Sequence, residues 1–192
     1  MPMYHVAMRT VADEQKVSGL IDALADRLQR RLAADADTPW ALVGIRSRGD
    51  DLARRLAERL HLERVGTLDI TLYRDDLSEV GPQPVVRTTE VPFDIDGMNI
   101  LLVDDVLMTG RSIRAALQSL MDLGRPRRVW LTVLVDRGGR ELPIAADDAA
   151  VTINDLGPRD RVKVQLKPTD ECDAINIVGD RAITGEGQVE SS

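Results

Sequence analysis

The chain has a single cysteine, Cys172, among its 192 residues. One thiol has no partner within the chain, which excludes an internal disulfide framework and is typical of a reducing compartment. No apolar run approaches the roughly 20 residues that cross a bilayer, and residues 1–10 lack the apolar core of a signal peptide. These absences predict a cytoplasmic protein that makes no contact with a membrane.

An excess of positive charge is also missing, because the formal net charge is −7 at pH 7. This charge argues against a general affinity for nucleic acid, but it leaves room for a local basic face. Lysine is scarce, with only three among the 25 basic residues. Arginine suits bidentate contact with phosphate, but a biased codon composition would give the same ratio, and we favour that simpler explanation.

A hydrophobic content of 43% supports one substantial core, so we predict one domain over residues 1–178 and a disordered tail over residues 179–192. Helices alternate with short apolar strands, which predicts an α/β fold with a doubly wound, mostly parallel sheet flanked by helices. Periodicity places helices at 11–32, 50–60 and after 109, and strands at 40–45, 65–72, 100–103, 128–135, 150–153 and 161–166. The irregular Gly- and Pro-rich segment around 73–92 predicts a flap or lid.

The stretch NILLVDDVLMTGRSIRAAL, at residues 99–117, carries the strongest functional signal. An apolar run ends in Asp104 and Asp105, and residues 109–112 open a helix. Ligands collect at the carboxyl ends of parallel strands, where a helix N-terminus offers N–H groups to an anion. Carboxylates accept from sugar hydroxyls, whereas N–H, Ser and Thr groups donate to phosphate. We therefore predict a sugar-phosphate site here, in preference to a solvated strand end or a site for a metal alone.

Other strand ends carry residues of the same kind. Ser47 and Arg48 lie between a buried strand and a helix, which makes them candidates for holding a pyrophosphate. Arg137 follows a further strand, where a plain surface turn is the alternative. A charged cluster, Arg74, Asp75 and Asp76, ends the strand predicted before the flap.

Three arginines, Arg27, Arg30 and Arg31, cluster near the end of the first predicted helix. Cations at that position complement the helix dipole, so a solvated last turn is the favoured interpretation. A patch that faces RNA is the alternative.

Several motifs carry a resemblance to a known family. The sequence ILLVDDVLMTGRSI is similar to the phosphoribosyl-pyrophosphate (PRPP) binding motif of the type I phosphoribosyltransferases. In order along the chain, GIRSRG, DITLYRDDL and VLVDRGGRELPI resemble the PyrR family of bifunctional pyrimidine operon regulators and uracil phosphoribosyltransferases. The resemblance covers residues 11–166. It implies the type I phosphoribosyltransferase fold, with a mostly parallel sheet and a small flap or hood, and a homodimer or homotetramer.

The resemblance also implies a reaction and its residues. Uracil would displace pyrophosphate from PRPP to give UMP, with Mg²⁺ as cofactor. Asp104, Asp105 and Arg74 are implied to be catalytic, and the two aspartates to be Mg²⁺ ligands. The implied substrate-binding residues are Ser47, Arg48, Asp75, Asp76, Arg87, Asp104, Asp105, Val106, Leu107, Met108, Thr109, Gly110, Arg111, Ser112 and Arg137. In this set the aspartates would hold the ribose hydroxyls, residues 109–112 the 5′-phosphate, Ser47 and Arg48 the pyrophosphate, and Arg137 the exocyclic oxygen of the base.

Several positions depart from the family pattern, among them Met108 and Gly139. Met108 stands where PyrR proteins usually have Tyr and where purine relatives carry an acid that can hydrogen-bond the purine N7; because Met cannot make that bond, it disfavours a purine base. Gly139 stands where many members have His, in a turn of the family's proposed RNA face. The implied RNA ligand is the mRNA leader of a pyrimidine operon, with Arg27, Arg30, Arg31 and Arg140 as candidate contacts. The alternatives are a nucleotide-binding RNA regulator with little catalysis and a phosphoribosyltransferase without RNA regulation.

Overall fold

The computed structural model describes residues 4–73, 88–154, 156–157 and 159–182. Within them the strands and helices follow one another in the order β1 (Tyr4–Ala12), α1 (Glu14–Ala34), β2 (Trp40–Ile45), α2 (Arg48–Leu60), β3 (Val65–Leu68), β4 (Asn99–Leu107), α3 (Arg111–Leu123), β5 (Arg128–Asp136), β6 (Asp148–Thr152), β7 (Arg161–Gln165) and β8 (Ala174–Ala182). None of the helices in this part of the chain is long and apolar enough to cross a membrane.

The main sheet has five parallel strands in the order β3-β2-β4-β5-β6. Strand β4 lies at its centre, with Leu101 aligned with Leu42 of β2 and with Trp130 of β5. The carboxyl ends of all five strands therefore meet at one edge of the sheet, which is where α/β proteins bind ligands.

Both faces of this sheet are covered, which explains its nearly continuous apolar strands. Successive residues of a strand point to opposite faces. Leu42 and Leu101 pack with α1 and α2 on one face, whereas Val43 and Leu102 pack with α3 on the other. This arrangement fixes the starts of α2 and α3 at the same edge of the sheet.

A second, antiparallel sheet has the order β1-β8-β7, and two of its strands were not predicted. Strand β8 continues to Ala182, so the domain boundary predicted at residue 178 falls inside a strand. Strands β1 and β8 stabilise each other from opposite ends of the chain. Neither is a long apolar run, and a pairing over that separation leaves little local signal.

The segment predicted as a flap lies mostly outside the described residues, as do its site candidates Arg74, Asp75, Asp76 and Arg87. Strand β3 ends at Leu68, four residues earlier than predicted. A short 3-10 turn follows at Thr71–Tyr73, where Asp69 Oδ1 accepts from Thr71 N at 2.8 Å. Residues 183–192 of the predicted tail also lie outside the described part of the chain.

Candidate functional site

Asp104 and Asp105 lie inside β4 near its carboxyl end, because the strand runs on to Leu107. The Asp104 residue is 7% exposed. Its Oδ1 accepts from Asp105 N at 2.9 Å, and Asp105 Oδ1 accepts from Val106 N at 2.8 Å. Backbone hydrogen bonds thus orient two adjacent acids at the edge of the sheet where the strands end.

The electrostatics of this acid pair are unfavourable without a ligand. Burial raises the pKa of Asp104 well above its usual value, and the charge of Asp105 raises it further. Burial also raises the pKa of Asp105, although the Val106 N–H and the charge of Arg48 partly offset this effect. Two neighbouring buried carboxylates are stabilised by a partner that donates hydrogen bonds or carries positive charge. Ribose hydroxyls or a divalent cation would provide such a partner.

The start of α3 forms a small cradle next to the acid pair. Gly110, with φ of 90°, caps the helix but has no side chain to accept from its first N–H groups. A cavity of about 60 Å³ opens at this point, lined by Asp104, Val106, Leu107, Met108, Thr109, Gly110, Ser112 and Ile113. The helix start and this lining lie where the phosphate site was predicted.

The start of α2 lies directly against the acid pair, and Gly49 allows this approach, while Gly44 allows α2 to lie close to β2. A Cβ on Gly49 would lie 2.6 Å from the Val103 carbonyl oxygen and 3.3 Å from Asp104 Oδ1. A Cβ on Gly44 would lie 2.4 Å from the Asp50 Cα. Helix α2 begins at Arg48, two residues earlier than predicted. The close approach that these glycines permit was not predicted, although their positions on either side of an Arg-Ser-Arg loop were a usable signal.

Arg48 makes a bidentate ion pair that the sequence did not indicate. Its Nε donates to Asp170 Oδ2 at 2.7 Å and its Nη2 to Asp170 Oδ1 at 3.0 Å. Asp170 belongs to the connection between β7 and β8, 122 residues away along the chain. The segment after Leu166, which had no assigned role, thus reaches the predicted pyrophosphate loop.

Arg137 and Met108 lie on either side of Gly139. Arg137 is 7% exposed, and its Nη2 donates to the carbonyl oxygens of Gly157 and Asp160 at 2.9 and 2.7 Å. A Cβ on Gly139 would lie 2.8 Å from Arg137 Nη1 and 3.8 Å from Met108 Cγ. The structure therefore brings the predicted base contact, the departure at Met108 and Gly139 together beside the phosphate cradle.

Arg140, predicted as an RNA contact, is engaged within the protein. Its Nη2 donates to Asp136 Oδ2 at 2.6 Å, its Nη1 to the Met108 carbonyl at 3.0 Å and its Nε to the Ile144 carbonyl at 2.8 Å. These hydrogen bonds fix the backbone at Met108 and Ile144, next to the start of α3. Arg140 is therefore better explained as a support for the phosphate loop than as a solvent-facing cation.

The three arginines at the end of α1 differ in their surroundings. Arg31 pairs with Asp148 at 2.8 Å and stacks over Trp130 at 4.0 Å. Arg27 donates to the Ala149 carbonyl at 2.7 Å. Arg30 is exposed and has no ion pair or hydrogen bond with the described residues. Of the three, only Arg30 has the surroundings of a solvated cation.

A larger cavity of about 520 Å³ lies at the far end of α2 and includes His61. It contains none of the predicted site residues. A large volume alone indicates neither a ligand nor a reaction. The candidate site is therefore assigned to the carboxyl ends of β2, β4 and β5.

Comparison with known proteins agrees with this geometry. The phosphoribosyl transferase domain family matches residues 10–165. Bifunctional protein PyrR of Roseiflexus sp. is 46% identical over 183 residues, which cover 92% of this chain and 98% of that protein. Its counterpart in Deinococcus radiodurans is 53% identical over 142 residues, with 71% of this chain and 77% of that protein covered. This chain belongs to the PyrR family of phosphoribosyltransferases. The membership confirms the family and the enzyme class that were predicted from the motifs.

Solved structures similar to this PyrR-family protein confirm the predicted fold. The hypoxanthine phosphoribosyltransferase of Trypanosoma cruzi has a TM-score of 0.64 at 17% identity, with 90% of this chain and 97% of that chain covered. The HGPRT-ase of Leishmania tarentolae in complex with GMP has a TM-score of 0.62 at 18% identity, with 87% and 94% covered. At these identities the likeness concerns the fold and not the choice of base.

Proposed function

We propose that this chain transfers a phosphoribosyl group from PRPP to uracil, giving UMP and pyrophosphate, and that it regulates pyrimidine genes through UMP-dependent RNA binding. The observation that carries the enzymatic part is the convergence of three groups at one edge of the sheet. These groups are the buried acid pair, the open start of α3 and the arginine loop after β2. A ligand that has vicinal hydroxyls, a monophosphate and a pyrophosphate matches all three.

In this proposal the acid pair binds the ribose. Asp104 and Asp105 accept hydrogen bonds from the 2′ and 3′ hydroxyls, which places donors beside carboxyls that burial makes costly to ionise. The N–H groups of α3, with the Thr109 and Ser112 hydroxyls, donate to the 5′-phosphate. Fixing both ends of the ribose holds C1 in place for the displacement.

Bond breaking at C1 transfers negative charge to the departing pyrophosphate while positive charge develops on the ribose. Arg48 stabilises the leaving group from the loop after β2, and the family resemblance supports the same role for Arg74, which lies outside the described residues. The electrons of the broken C1–O bond go to pyrophosphate, uracil N1 forms the new bond to C1, and the N1 proton passes to the departing pyrophosphate or to water.

The acid pair is compatible with Mg²⁺. The described residues hold no cluster of three or more His, Cys, Asp or Glu side chains suited to a metal, so a Mg²⁺ ion at Asp104 and Asp105 would take its remaining ligands from substrate oxygens and water. Mg²⁺ prefers that coordination. When bound, it would neutralise the charge that develops on the pyrophosphate.

The surroundings of Met108 support a pyrimidine base. The Met108 side chain has no carboxyl group that could accept a hydrogen bond from a purine. Arg137 Nη1 lies beside Gly139, on the same side of the cradle. That nitrogen is a donor for an exocyclic oxygen of uracil. Turnover of PRPP with uracil, compared with hypoxanthine and guanine, tests this choice. Uracil alone should give product, and equal or faster turnover of a purine would overturn the proposal.

The regulatory part is supported by the face formed by the end of α1 and the start of β5. Arg31 and Arg128 lie over Trp130 at 4.0 and 5.2 Å, and Arg30 is exposed nearby along the helix. Cations and an aromatic ring favour single-stranded RNA. Leader RNA of a pyrimidine operon should bind more tightly with UMP present, whereas no response to UMP would contradict this part. We also propose a homodimer or homotetramer, from the family alone.

A further inference from the structure

Two arginines of α2 hold the connection between β7 and β8. Arg48 is bidentate to Asp170, with N–O distances of 2.7 and 3.0 Å. Two turns further along the same helix, Arg55 Nη2 donates to Asp173 Oδ1 at 2.8 Å and its Nη1 to Asp173 Oδ2 at 2.5 Å. The loop at 166–173 is therefore attached to α2 by two ion pairs of the same chemistry. Only the first involves the pyrophosphate loop.

Asp170 is itself held in place by its own loop. Its Oδ2 accepts from Leu166 N at 2.8 Å, and its N donates to the Leu166 carbonyl at 2.8 Å. The carboxylate is thus fixed before it meets Arg48. The Asp170 side chain is 13% exposed and that of Arg48 is 28% exposed. A fixed, partly buried acceptor restrains an arginine more than a mobile surface acid does.

The ion pair uses only one edge of the guanidinium. Arg48 donates its Nε hydrogen and one Nη2 hydrogen to Asp170, and it has no other hydrogen-bond partner among the described residues. A guanidinium has five N–H donors, so three remain, and two of these lie on the edge formed by Nη1 and Nη2. That edge is a planar fork of the kind that binds phosphate oxygens in pairs.

We propose that Asp170 is a positioning residue for PRPP and pyrophosphate: it fixes the Arg48 guanidinium by one edge so that the other edge is presented to the pyrophosphate group. The inference rests on the proposed function. The energetic basis is preorganisation, since an arginine side chain that is already ordered loses less entropy when the ligand binds. Asp170 does not touch the substrate and takes no part in bond breaking.

The chain supplies a matched control for this role in Asp173. Asp173→Asn removes the same kind of bidentate pair from the same loop, but through Arg55 and not through Arg48. A purely structural attachment predicts that Asp170→Asn and Asp173→Asn behave alike. A positioning role predicts that only Asp170→Asn weakens the binding of PRPP and pyrophosphate.

The test measures the KM for PRPP, the KM for uracil and product inhibition by pyrophosphate in the full-length wild type and both variants. Asp170→Asn should raise the KM for PRPP and the inhibition constant of pyrophosphate by up to about tenfold, the cost of immobilising on binding one long side chain that the ion pair no longer orders. The KM for uracil should stay within about twofold in both variants, and Asp173→Asn should leave all three constants near wild type. Equal effects of the two variants would overturn the inference, and so would tighter inhibition by pyrophosphate in Asp170→Asn, because Asp170 would then be a competitor for Arg48.

A double-mutant cycle keeps the inference falsifiable if Asp170→Asn also lowers stability. In an Arg48→Ala background, Asp170→Asn should cause no further loss of PRPP affinity, since the group that it positions is gone. A full loss in that background would contradict the inference. Failure of the proposed function is recognised separately, because the wild type itself would then neither bind nor turn over PRPP.

Discussion

Gly49 lies so close to Asp104 that the two positions leave no room for a side chain on the glycine. A Cβ there would lie 2.6 Å from the Val103 carbonyl oxygen and 3.1 Å from the Asp104 Cα. The start of α2 and the acid pair of β4 are thus in backbone contact. Their separation, and with it the distance between a pyrophosphate site and a ribose site, is set by this contact.

Gly49→Ala should therefore disable PRPP binding. The added methyl group has to push α2 away from β4, which also costs about 1–3 kcal/mol of stability. Calorimetric titration with PRPP and thermal unfolding measure the two effects. Gly19→Ala is the control, since nothing lies within 4 Å of a Cβ at that exposed helical position; it should raise stability by about 0.5–1 kcal/mol. Wild-type PRPP affinity in Gly49→Ala would contradict the close contact.

Asp104→Asn should make the ligand-free protein more stable while it weakens PRPP binding. Burial and the charge of Asp105 raise the pKa of Asp104 in the folded state. Ionised Asp104 therefore lowers the stability of the fold once the pH rises above the pKa that Asp104 has in the unfolded chain. The gain from the neutral amide should reach about 1 kcal/mol at pH 8, or roughly 2–4 °C in melting temperature. It should shrink as the pH falls towards 4. A variant that is less stable than wild type at pH 8 would show that the acid pair is satisfied without a ligand.

Acid should weaken the attachment of the β7–β8 loop. The Arg55 guanidinium holds the pKa of Asp173 below its usual value of 3.8, so this carboxylate stabilises the fold fully above that value. Its contribution is lost as the pH falls through the lowered folded pKa. Asp173→Asn should therefore be less stable than wild type at pH 7, and the difference should begin to shrink as the pH falls below 3.8 and disappear only below the lowered folded pKa. Urea unfolding at a series of pH values measures this, and a difference that does not change with pH would contradict it.

Substitutions of two neighbouring arginines, Arg30 and Arg31, should differ in their effects on RNA binding and stability. Arg30 is exposed and unpaired within the described residues, whereas Arg31 is paired with Asp148 and stacked on Trp130. Arg30→Ala should lower the affinity for leader RNA with unchanged melting temperature, and should reduce the slope of log K against log salt by about 0.7–0.9 if it contacts one phosphate. Arg31→Ala should lower both the affinity for leader RNA and the melting temperature. Unchanged RNA affinity in both variants would remove the end of α1 from the RNA face.

The strand-loop-helix at residues 99–117 was predictable because its signal is local. The apolar run, the paired acids and the start of the helix lie within 19 residues, and the fold places them in that order. The doubly wound sheet was predictable for the same reason, since each strand is a short apolar run beside a periodic helix.

Other parts of the site were not predictable because they join residues that are distant along the chain. Arg48 meets Asp170 across 122 positions, and neither residue differs in type from many solvated charges. Strands β1 and β8 depend on each other from opposite ends of the chain. Arg140 has the composition of a surface turn, and only the fold shows that its donors bind the carbonyls of the phosphate loop.

The affinity for PRPP in the wild type and in the double variant Asp104→Asn/Asp105→Asn tests the central claim most directly. Isothermal titration calorimetry with PRPP and Mg²⁺ should give clear binding to the wild type and none to the double variant, while circular dichroism shows that both are folded. Because the substitutions keep the shape of the acid pair, remove its charge and replace one acceptor oxygen of each side chain by an amide donor, such a loss is attributable to the ribose and metal contacts. Unchanged affinity in the double variant would contradict the assignment of this site.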